Sequence, residues 1–532
     1  MDFEWVAIAL GDVTWITLAF ALGFLARLLR LPPLVGFLAA GFVLGSQGFS
    51  GGEVLQKLAD LGITLLLFTV GLKMNPAILV RPHVWAVTVL HMLASTIAFG
   101  ALVLLLSTLN VPLFSGLTLF HALILGFALS FSSTVFAVKS LQERGLMTAL
   151  FGSVSIGILV MQDLAAVVFL AVSSGKFPLI WAPLLMLLIP LRPLFHRLLE
   201  ATGHGELLIL YGLVLALGGA ELFELAGIKD DLGALIMGVL IANHAKAGEL
   251  AKSMLGLKDL FLLGFFLSIG MSGQLTIEAL MIGILLVPLI IAKSALFFVL
   301  LTHFRLRART ALMSSLALSN YSEFGLIVTA IAVSAGWMAS DWLVVLSIAL
   351  TFSFILASWL NSNGTSIFTR FRQTWLRFQR DERLPGDELF DISDATVAIF
   401  GMGRVGTGAY EKIRVLYGDQ VVGVDADAKV VDKHHSKGRR VLYGDAGDPE
   451  FWDKIMHQHN LDLVMLALPQ YTANLNAIRQ LRSAGFSGQV AATAAFQEDE
   501  AALLKAGADT VFNIYAEAGT GFATHVAEPQ KR

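Results

Sequence analysis

Gly157-Ile158-Leu159-Val160-Met161-Gln162-Asp163-Leu164-Ala165-Ala166-Val167-Val168 sets one carboxylate about fourteen residues into an apolar run that extends from 149 to 174. A run of about 20 mostly apolar residues is what a helix needs to cross the hydrocarbon core of a bilayer. An ionised side chain near its middle costs about 2.5–3.5 kcal/mol on insertion scales, so it lines a pathway or meets a partner instead of facing lipid. Desolvation favours the neutral acid, and a bound cation favours the carboxylate. Asp163 can therefore alternate between a proton and a monovalent metal ion, which makes it the candidate ion site. Gln162 offers an amide beside it and no second charge, so such an alternation would move no net charge.

The same apolar pattern repeats along the first two thirds of the chain. Of 532 residues, 56% are hydrophobic and 14% charged, against about 45–50% and about 25% in soluble domains. Mean hydropathy is +0.74. Thirteen spans are expected, at 5–28, 31–45, 54–72, 84–108, 114–138, 149–174, 178–199, 206–225, 230–244, 253–272, 276–302, 308–336 and 341–361. Basic residues favour cytoplasmic loops. With these spans, Arg27, Arg30, Lys73, Arg81, Lys139, Arg144, Arg192, Arg197, Lys246, Lys252, Lys258, Arg305, Arg307 and Arg309 fall on one side, and only Lys57, Lys176 and Lys229 on the other. That asymmetry puts the N-terminus outside and the C-terminal part in the cytosol. The first segment has no basic n-region and short cleavable core, so it reads as a retained helix.

A net charge of −3 argues against a nucleic-acid partner, and the absence of cysteine removes thiolate catalysis and Cys-based metal sites. No tightly bound metal is expected.

Composition changes near Asn361, so an exchanger-like membrane part is expected over 1–362, a linker over 363–394 and a soluble α/β domain over 395–532. The linker carries Arg370, Arg372, Arg377 and Arg380, which suit anionic lipid, a regulatory dimer or plain solvent. Within the membrane part, Ala128-Leu129-Ser130-Phe131-Ser132-Ser133-Thr134 echoes Ala317-Leu318-Ser319-Asn320-Tyr321-Ser322-Glu323. Matching hydroxyl-rich segments in two halves are the mark of inverted repeats with broken helices at a midplane site. Ser132, Ser133 and Thr134 offer hydroxyl and backbone oxygens to a partly dehydrated cation, or serve ordinary helix packing. Lys293 and Glu323 are the other charges deep in spans; Lys293 reads as a core partner, with pairing to Glu323 open, or as a side chain that snorkels toward the cytosol.

Beyond the linker, the expected strand Val397-Ala398-Ile399-Phe400 runs into Gly401-Met402-Gly403-Arg404-Val405-Gly406 and a helix-compatible run. This G-x-G-x-x-G has its strand, its helix and, nineteen positions after Gly406, an acidic residue at Asp425. The carboxylate can accept from ribose hydroxyls and would repel a 2′-phosphate, which favours AMP or NAD(H) over NADP. Further strands are expected at 440–443, 463–468 and 489–493, with Asp445 and Ala446 placed to contact adenine.

These segments together resemble the monovalent cation:proton antiporter-2 family, and within it the Kef-type potassium/proton antiporters. The likeness is carried by Leu34–Gly45, Leu66–Leu72, Ala128–Thr134, Gln142-Glu143-Arg144, Gln162-Asp163, Phe265–Met271 and Ser322-Glu323-Phe324, in that order. The soluble part resembles the RCK or KTN (TrkA-N) regulatory domains over about 394–509. The resemblance implies an all-α polytopic membrane domain of about thirteen helices with crossed broken helices, joined to a cytosolic Rossmann-like domain. It implies a homodimer in a bacterial inner membrane, with elevator-type exchange, Asp163 as the ion-binding carboxylate and Lys293 as the core basic residue. Where Kef members place a glutamine after Ser-Ser-Thr, this chain has Lys139, which leaves sodium open beside potassium. Kef systems carry a longer tail involved in glutathione gating, whereas this chain ends at Arg532; glutathione or an ancillary subunit is left open as a partner. Two readings compete with the antiporter. An RCK-gated potassium channel lacks a TVGYG-like filter here. An NAD-dependent oxidoreductase would need a substrate domain, so no enzyme activity is expected.

Overall fold

The computed structural model describes residues 4–29, 33–49, 52–73, 80–143, 146, 149–173, 179–180, 182–242, 244, 246–271, 275–384, 387, 395–447, 452 and 461–527. The chain forms two compact units: Met1–Ala137, Val154–Phe304 and Ala311–Phe378 in the first, Val138–Ser153, Arg305–Thr310 and Gln379–Arg532 in the second. Arg30, Arg144 and Lys176, named above, lie outside the described residues.

The membrane helices are α1 (Glu4–Leu28), α2 (Pro33–Ser46), α3 (Glu53–Lys73), α4 (Pro82–Thr108), α5 (Leu119–Ser130), α6 (Thr134–Glu143), α7 (Leu150–Ser173), α8 (Arg192–Ala201), α9 (Glu206–Leu225) and α10 (Asp230–Ile241). They continue with α11 (Ala247–Met271), α12 (Ile277–Leu286), α13 (Leu289–His303), α14 (Ala308–Ala317), α15 (Glu323–Ser334) and α16 (Asp341–Ser362). Each expected span meets an apolar helix or helix pair. Eight are long enough to cross a membrane outright, and the short helix Ala182–Leu188 joins α8 across a 50° bend. The remaining expected spans are met by shorter apolar helices at Thr14–Leu28, Pro33–Ser46, Leu232–Ile241 and Glu323–Ser334.

Lipid tails are as apolar as leucine, so packing and close backbone approach, not water exclusion, hold such helices together. One set comprises α1, α2, α3, α9, α10 and α11; a second comprises α4, α5, α12, α13, α15 and α16. In the first set the contact points are glycines. A Cβ on Gly41 would stand 2.6 Å from Leu267 O, and one on Gly270 would stand 2.6 Å from Leu38 O. Only hydrogen fits between α2 and α11 at that crossing.

In the second set both hydroxyl-rich segments interrupt their helices. One span is α5 and α6 separated by Phe131–Ser133; the other is α14 and α15 separated by Leu318–Ser322. The repeat seen in sequence therefore corresponds to two broken helices.

The second unit contains a six-stranded parallel sheet in the order β3-β2-β1-β4-β5-β6, with β1 Val397–Phe400, β2 Val421–Asp425, β3 Val441–Tyr443, β4 Leu463–Leu466, β5 Gln489–Ala494 and β6 Thr510–Asn513. Side chains alternate across a strand. Val397 and Ile399 accordingly join one buried cluster with Val421 and Val441, while Ala398 and Phe400 join another with Val422, Val464 and Trp452. The strand expected to start at Arg440 starts at Val441, and the one expected to reach 468 stops at Leu466, where the chain turns toward the glycine loop. Strand β6 was not anticipated; its alternation of exposed and half-buried residues is that of a weakly apolar edge.

The loop Arg305–Thr310 belongs to this unit and is held by the end of the linker. Asp387 is buried; its carboxylate accepts from Arg307 N–H at 2.6 Å and Thr310 Oγ1 at 2.6 Å, and Gln379 Oε1 accepts from Ala308 N–H at 2.9 Å. These acceptors satisfy the free amides that open α14, as a capping side chain would.

Two adjacent glycines test the packing argument. A Cβ on Gly219 meets Gly233 O at 2.8 Å, whereas one on Gly218 meets nothing within 4 Å. Gly219→Leu should lower stability by about 1–3 kcal/mol through overpacking, and Gly218→Ala should leave it equal or slightly raised. Thermal unfolding in detergent compares them; equal melting of both variants would rule out glycine-dependent packing of α9 on α10.

Candidate functional site

Unwound backbone inside a membrane must find its hydrogen-bond partners within the protein. At the first break, Gln162 of α7 bridges both sides: its Nε2 donates to Ser130 O at 3.2 Å and its Oε1 accepts from Ser132 N–H at 3.0 Å. Ser133 N–H donates to Asn320 Oδ1 at 2.6 Å, and Ser132 Oγ donates to Leu318 O at 2.9 Å. Ser133 Oγ accepts from Phe136 N–H at 3.2 Å and so caps α6. At the second break, Ser322 Oγ accepts from Phe324 N–H at 3.2 Å and caps α15, while Tyr321 N–H donates to Ser353 Oγ at 3.1 Å. Each broken helix thus restarts on its own serine, and the two breaks are bonded to each other.

Lys293 ties the breaks together. Its ammonium donates to Phe131 O and, at 2.8 Å, to Asn320 O, and lies 5.5 Å from the centre of the Tyr321 ring. These carbonyls follow the C-terminal ends of α5 and α14, where helix dipoles favour a cation. The sequence reading considered Glu323 as its counterion; the structure gives the ammonium backbone carbonyls instead. The Glu323 carboxylate accepts from Ser322 Oγ at 3.4 Å through Oε2, and its Oε1 has no hydrogen-bond partner among the described residues. Glu323 is the first residue of α15.

Asp163 is 1% exposed and lies beside the first break. Thr134 Oγ1 donates toward both its oxygens, at 3.3 Å to Oδ1 and 3.1 Å to Oδ2. Thr134 opens α6, so the positive end of that half-helix faces the carboxylate.

Sequence reasoning placed Asp163, Ser132, Ser133 and Thr134 in one neighbourhood, and the structure brings them together. It gives Gln162 a different place, since both ends of its amide are spent on backbone. Asn320 was missed as a site residue. Its side chain takes Ser133 N–H and donates to Ala317 O at 3.1 Å, and its own carbonyl takes Lys293. The available signal was an amide inside an apolar span, at the position where the other half has Phe131.

The second candidate site is the end of the sheet. Gly401 has φ +86°, and a Cβ there would stand 2.6 Å from Ala467 O; a Cβ on Gly406 would collide with Gly401 O. Gly403 faces open space within 4 Å, as a glycine left for phosphate approach should. Gly403 also precedes the helix Arg404–Tyr417, whose N-terminal amides form a ready anion site. Arg404 and Val405 are exposed, and Met402 is buried with its carbonyl accepting from His434 Nε2 at 2.9 Å and Thr407 Oγ1 at 3.1 Å.

Asp425 Oδ2 accepts from Met402 N–H at 2.7 Å and Oδ1 from Asp427 N–H at 2.9 Å. It ties the tip of β2 to the glycine loop, and burial pushes its carboxyl above the ordinary range despite those amides. After β3, Asp445 Oδ1 accepts from Gly447 N–H at 2.8 Å, and buried Ala446 offers its carbonyl to Trp452 Nε1 at 2.8 Å. The glycine loop, Asp425 and Asp445 thus stand at the C-terminal ends of β1, β2 and β3, where ligands bind in doubly wound sheets.

The break network carries a stability prediction. Asn320→Ala would strand Ser133 N–H and Ala317 O, at about 1–3 kcal/mol for each buried group left unpaired. The variant should melt several degrees below wild type in detergent, and an unchanged melting temperature would show that the amide does not hold the breaks.

A family model described as sodium/hydrogen exchanger, transmembrane, matches residues 16–362, and a TrkA-N domain model matches 397–514. The glutathione-regulated potassium-efflux system protein KefC of Enterobacter sp. (strain 638) is 29% identical over 445 residues, covering 79% of this chain and 68% of that relative. The protein of the same description from Klebsiella pneumoniae (strain 342) is 28% identical over the same shares of each. The solved sodium proton antiporter MjNhaP1 from Methanocaldococcus jannaschii aligns with 68% of this chain and 98% of its own at 15% identity and a TM-score of 0.46. With two broken helices at a buried carboxylate and an exchanger model spanning most of its length, this multi-pass membrane chain belongs to the sodium/hydrogen exchanger family, as a Kef-type member of the monovalent cation:proton antiporter-2 group that carries a TrkA-N domain.

Proposed function

We propose that the chain is a secondary antiporter that exchanges potassium for protons, with Asp163 as the group that carries each in turn. The observation behind this reading is a fully buried carboxylate at a helix break that accepts from the Thr134 hydroxyl. When it binds a proton, the acid is neutral; when it loses the proton, a monovalent cation neutralises the carboxylate. Lys293 and Glu323 cancel in charge when both are ionised, so the site cycles with Asp163 alone and exchange is electroneutral. Ser132 and Ser133, committed to the breaks, set the position of Thr134 and Asp163. Potassium is favoured by the potassium-efflux systems to which the chain is similar. Sodium is the alternative, because exposed Lys139 stands where Kef members have glutamine.

The helix set built on α1, α2, α3, α9, α10 and α11 serves as the dimerisation scaffold of a homodimer, and the set around the breaks as the part that moves, in elevator fashion. The exchanger domain occupies 1–362, the linker 363–394 and the nucleotide-binding regulatory domain 395–532. The protein lies in a bacterial inner membrane with its N-terminus periplasmic and the sheet domain cytosolic, as the loop charges favour. AMP or NAD(H) binds across Gly401–Gly406, Asp425 and Asp445–Ala446 and regulates exchange.

Asp163→Asn should abolish cation-driven proton movement in proteoliposomes, tested with potassium, sodium and lithium, while the variant purifies and melts like wild type. Normal exchange by that variant would end the mechanism. Wild-type flux should also be insensitive to an imposed membrane potential. Gly403→Ala adds a methyl where the protein offers no contact. It should leave the fold intact and weaken AMP or NAD binding about tenfold or more by blocking phosphate approach; unchanged affinity in a titration would refute the nucleotide assignment.

A further inference from the structure

The second unit places a transporter loop residue on the loop that follows β3. Arg309 is the second residue of α14 and is 6% exposed. Its guanidinium donates to Gly447 O at 2.8 Å and lies 3.5 Å from Asp445 Oδ2. The other Asp445 oxygen already takes Gly447 N–H at 2.8 Å. Beside it, the Tyr443 hydroxyl is in hydrogen-bond reach of the backbone of Leu150, the first residue of α7. The end of β3 thus meets the first turn of the helix that carries Asp163, and the loop after it meets the first turn of the helix that leads to Asn320's break.

We propose that Arg309 is a residue of the nucleotide site, where it occupies Asp445 and is displaced when an adenosine moiety takes that carboxylate. The inference rests on the nucleotide reading of Gly401–Gly406 and Asp445 given above. A ligand donating to Asp445 meets one oxygen shared with a backbone amide and one shared with a guanidinium. The Arg309 contact is the longer and so the one that yields. Its release from Asp445 removes one of the ties between the first turn of α14 and the β3 loop and leaves the bond to Gly447 O, while Asp387 and Gln379 still cap that helix. Nucleotide occupancy is thereby linked to the helix leading to the second break, and the linkage is reciprocal.

Removing Arg309 removes a competitor and also a positive charge that attracts phosphate. Adenosine, which is uncharged, isolates the first effect. Full-length protein in detergent is titrated with adenosine and with AMP, as wild type, Arg309→Ala and Arg309→Lys, after each variant is checked by gel filtration and thermal unfolding. Arg309→Ala should bind adenosine about three- to tenfold more tightly, the size of a partly exposed charged contact. Arg309→Lys, which keeps a charge without the fork, should fall between. In proteoliposomes the ratio of exchange rates with and without AMP should move toward one in Arg309→Ala. Equal adenosine affinity in all three proteins, or weaker binding by Arg309→Ala, overturns the proposal while leaving the nucleotide site standing. Failure of wild type to bind either adenosine or AMP overturns the nucleotide reading, and this proposal with it.

Discussion

Everything in the membrane part depends on how two stretches of non-helical backbone are satisfied without water. Segments 131–133 and 318–322 expose amides and carbonyls where an unpaired group costs several kcal/mol. The protein answers with side chains that reach across, among them Gln162 from α7, Lys293 from α13, Asn320 from the opposite break, Ser132 and Ser353. None of them needs the transported ion as a partner. The breaks are held by protein, and the Asp163 carboxylate beside the first of them accepts from Thr134 Oγ1.

Charge placement follows the half-helix dipoles. Lys293 sits against carbonyls just past the C-terminal ends of α5 and α14, and the two carboxylates stand at the N-terminal ends of α6 and α15. Crossed broken helices bring two positive and two negative dipole ends to one place, and the side-chain charges complement each of them. The arrangement explains why a lysine can be buried there without a salt bridge among the described residues: two carbonyls and an aromatic ring replace its water. It also commits the Lys293 ammonium to backbone carbonyls of the two breaks.

The sheet domain uses the same economy of backbone contact in an aqueous setting. Gly401 and Gly406 let β1 turn directly into the helix that follows, and Asp425 locks that turn to β2 through Met402 N–H. The carboxylate is thus partly a structural fastener as well as a candidate ribose acceptor. The open space at Gly403 is the part of the loop that packing leaves unused.

Composition and span length made the thirteen-span pattern and the soluble Rossmann-like half legible without coordinates, because an apolar run of a given length and a glycine fingerprint between strand and helix are local signals. The serine-rich echo marked both breaks for the same reason: capping serines act within three residues of themselves. What sequence could not assign was which polar groups spend their hydrogen bonds on whom. Gln162 read as an ion-facing amide and proved to be a bridge over the break, Glu323 read as a partner for Lys293 and lies on Ser322, and Asn320 went unnoticed. Those assignments depend on contacts between residues up to 187 positions apart. Only the crossing of the two broken helices brings such groups within hydrogen-bond range, so only the tertiary structure decides them.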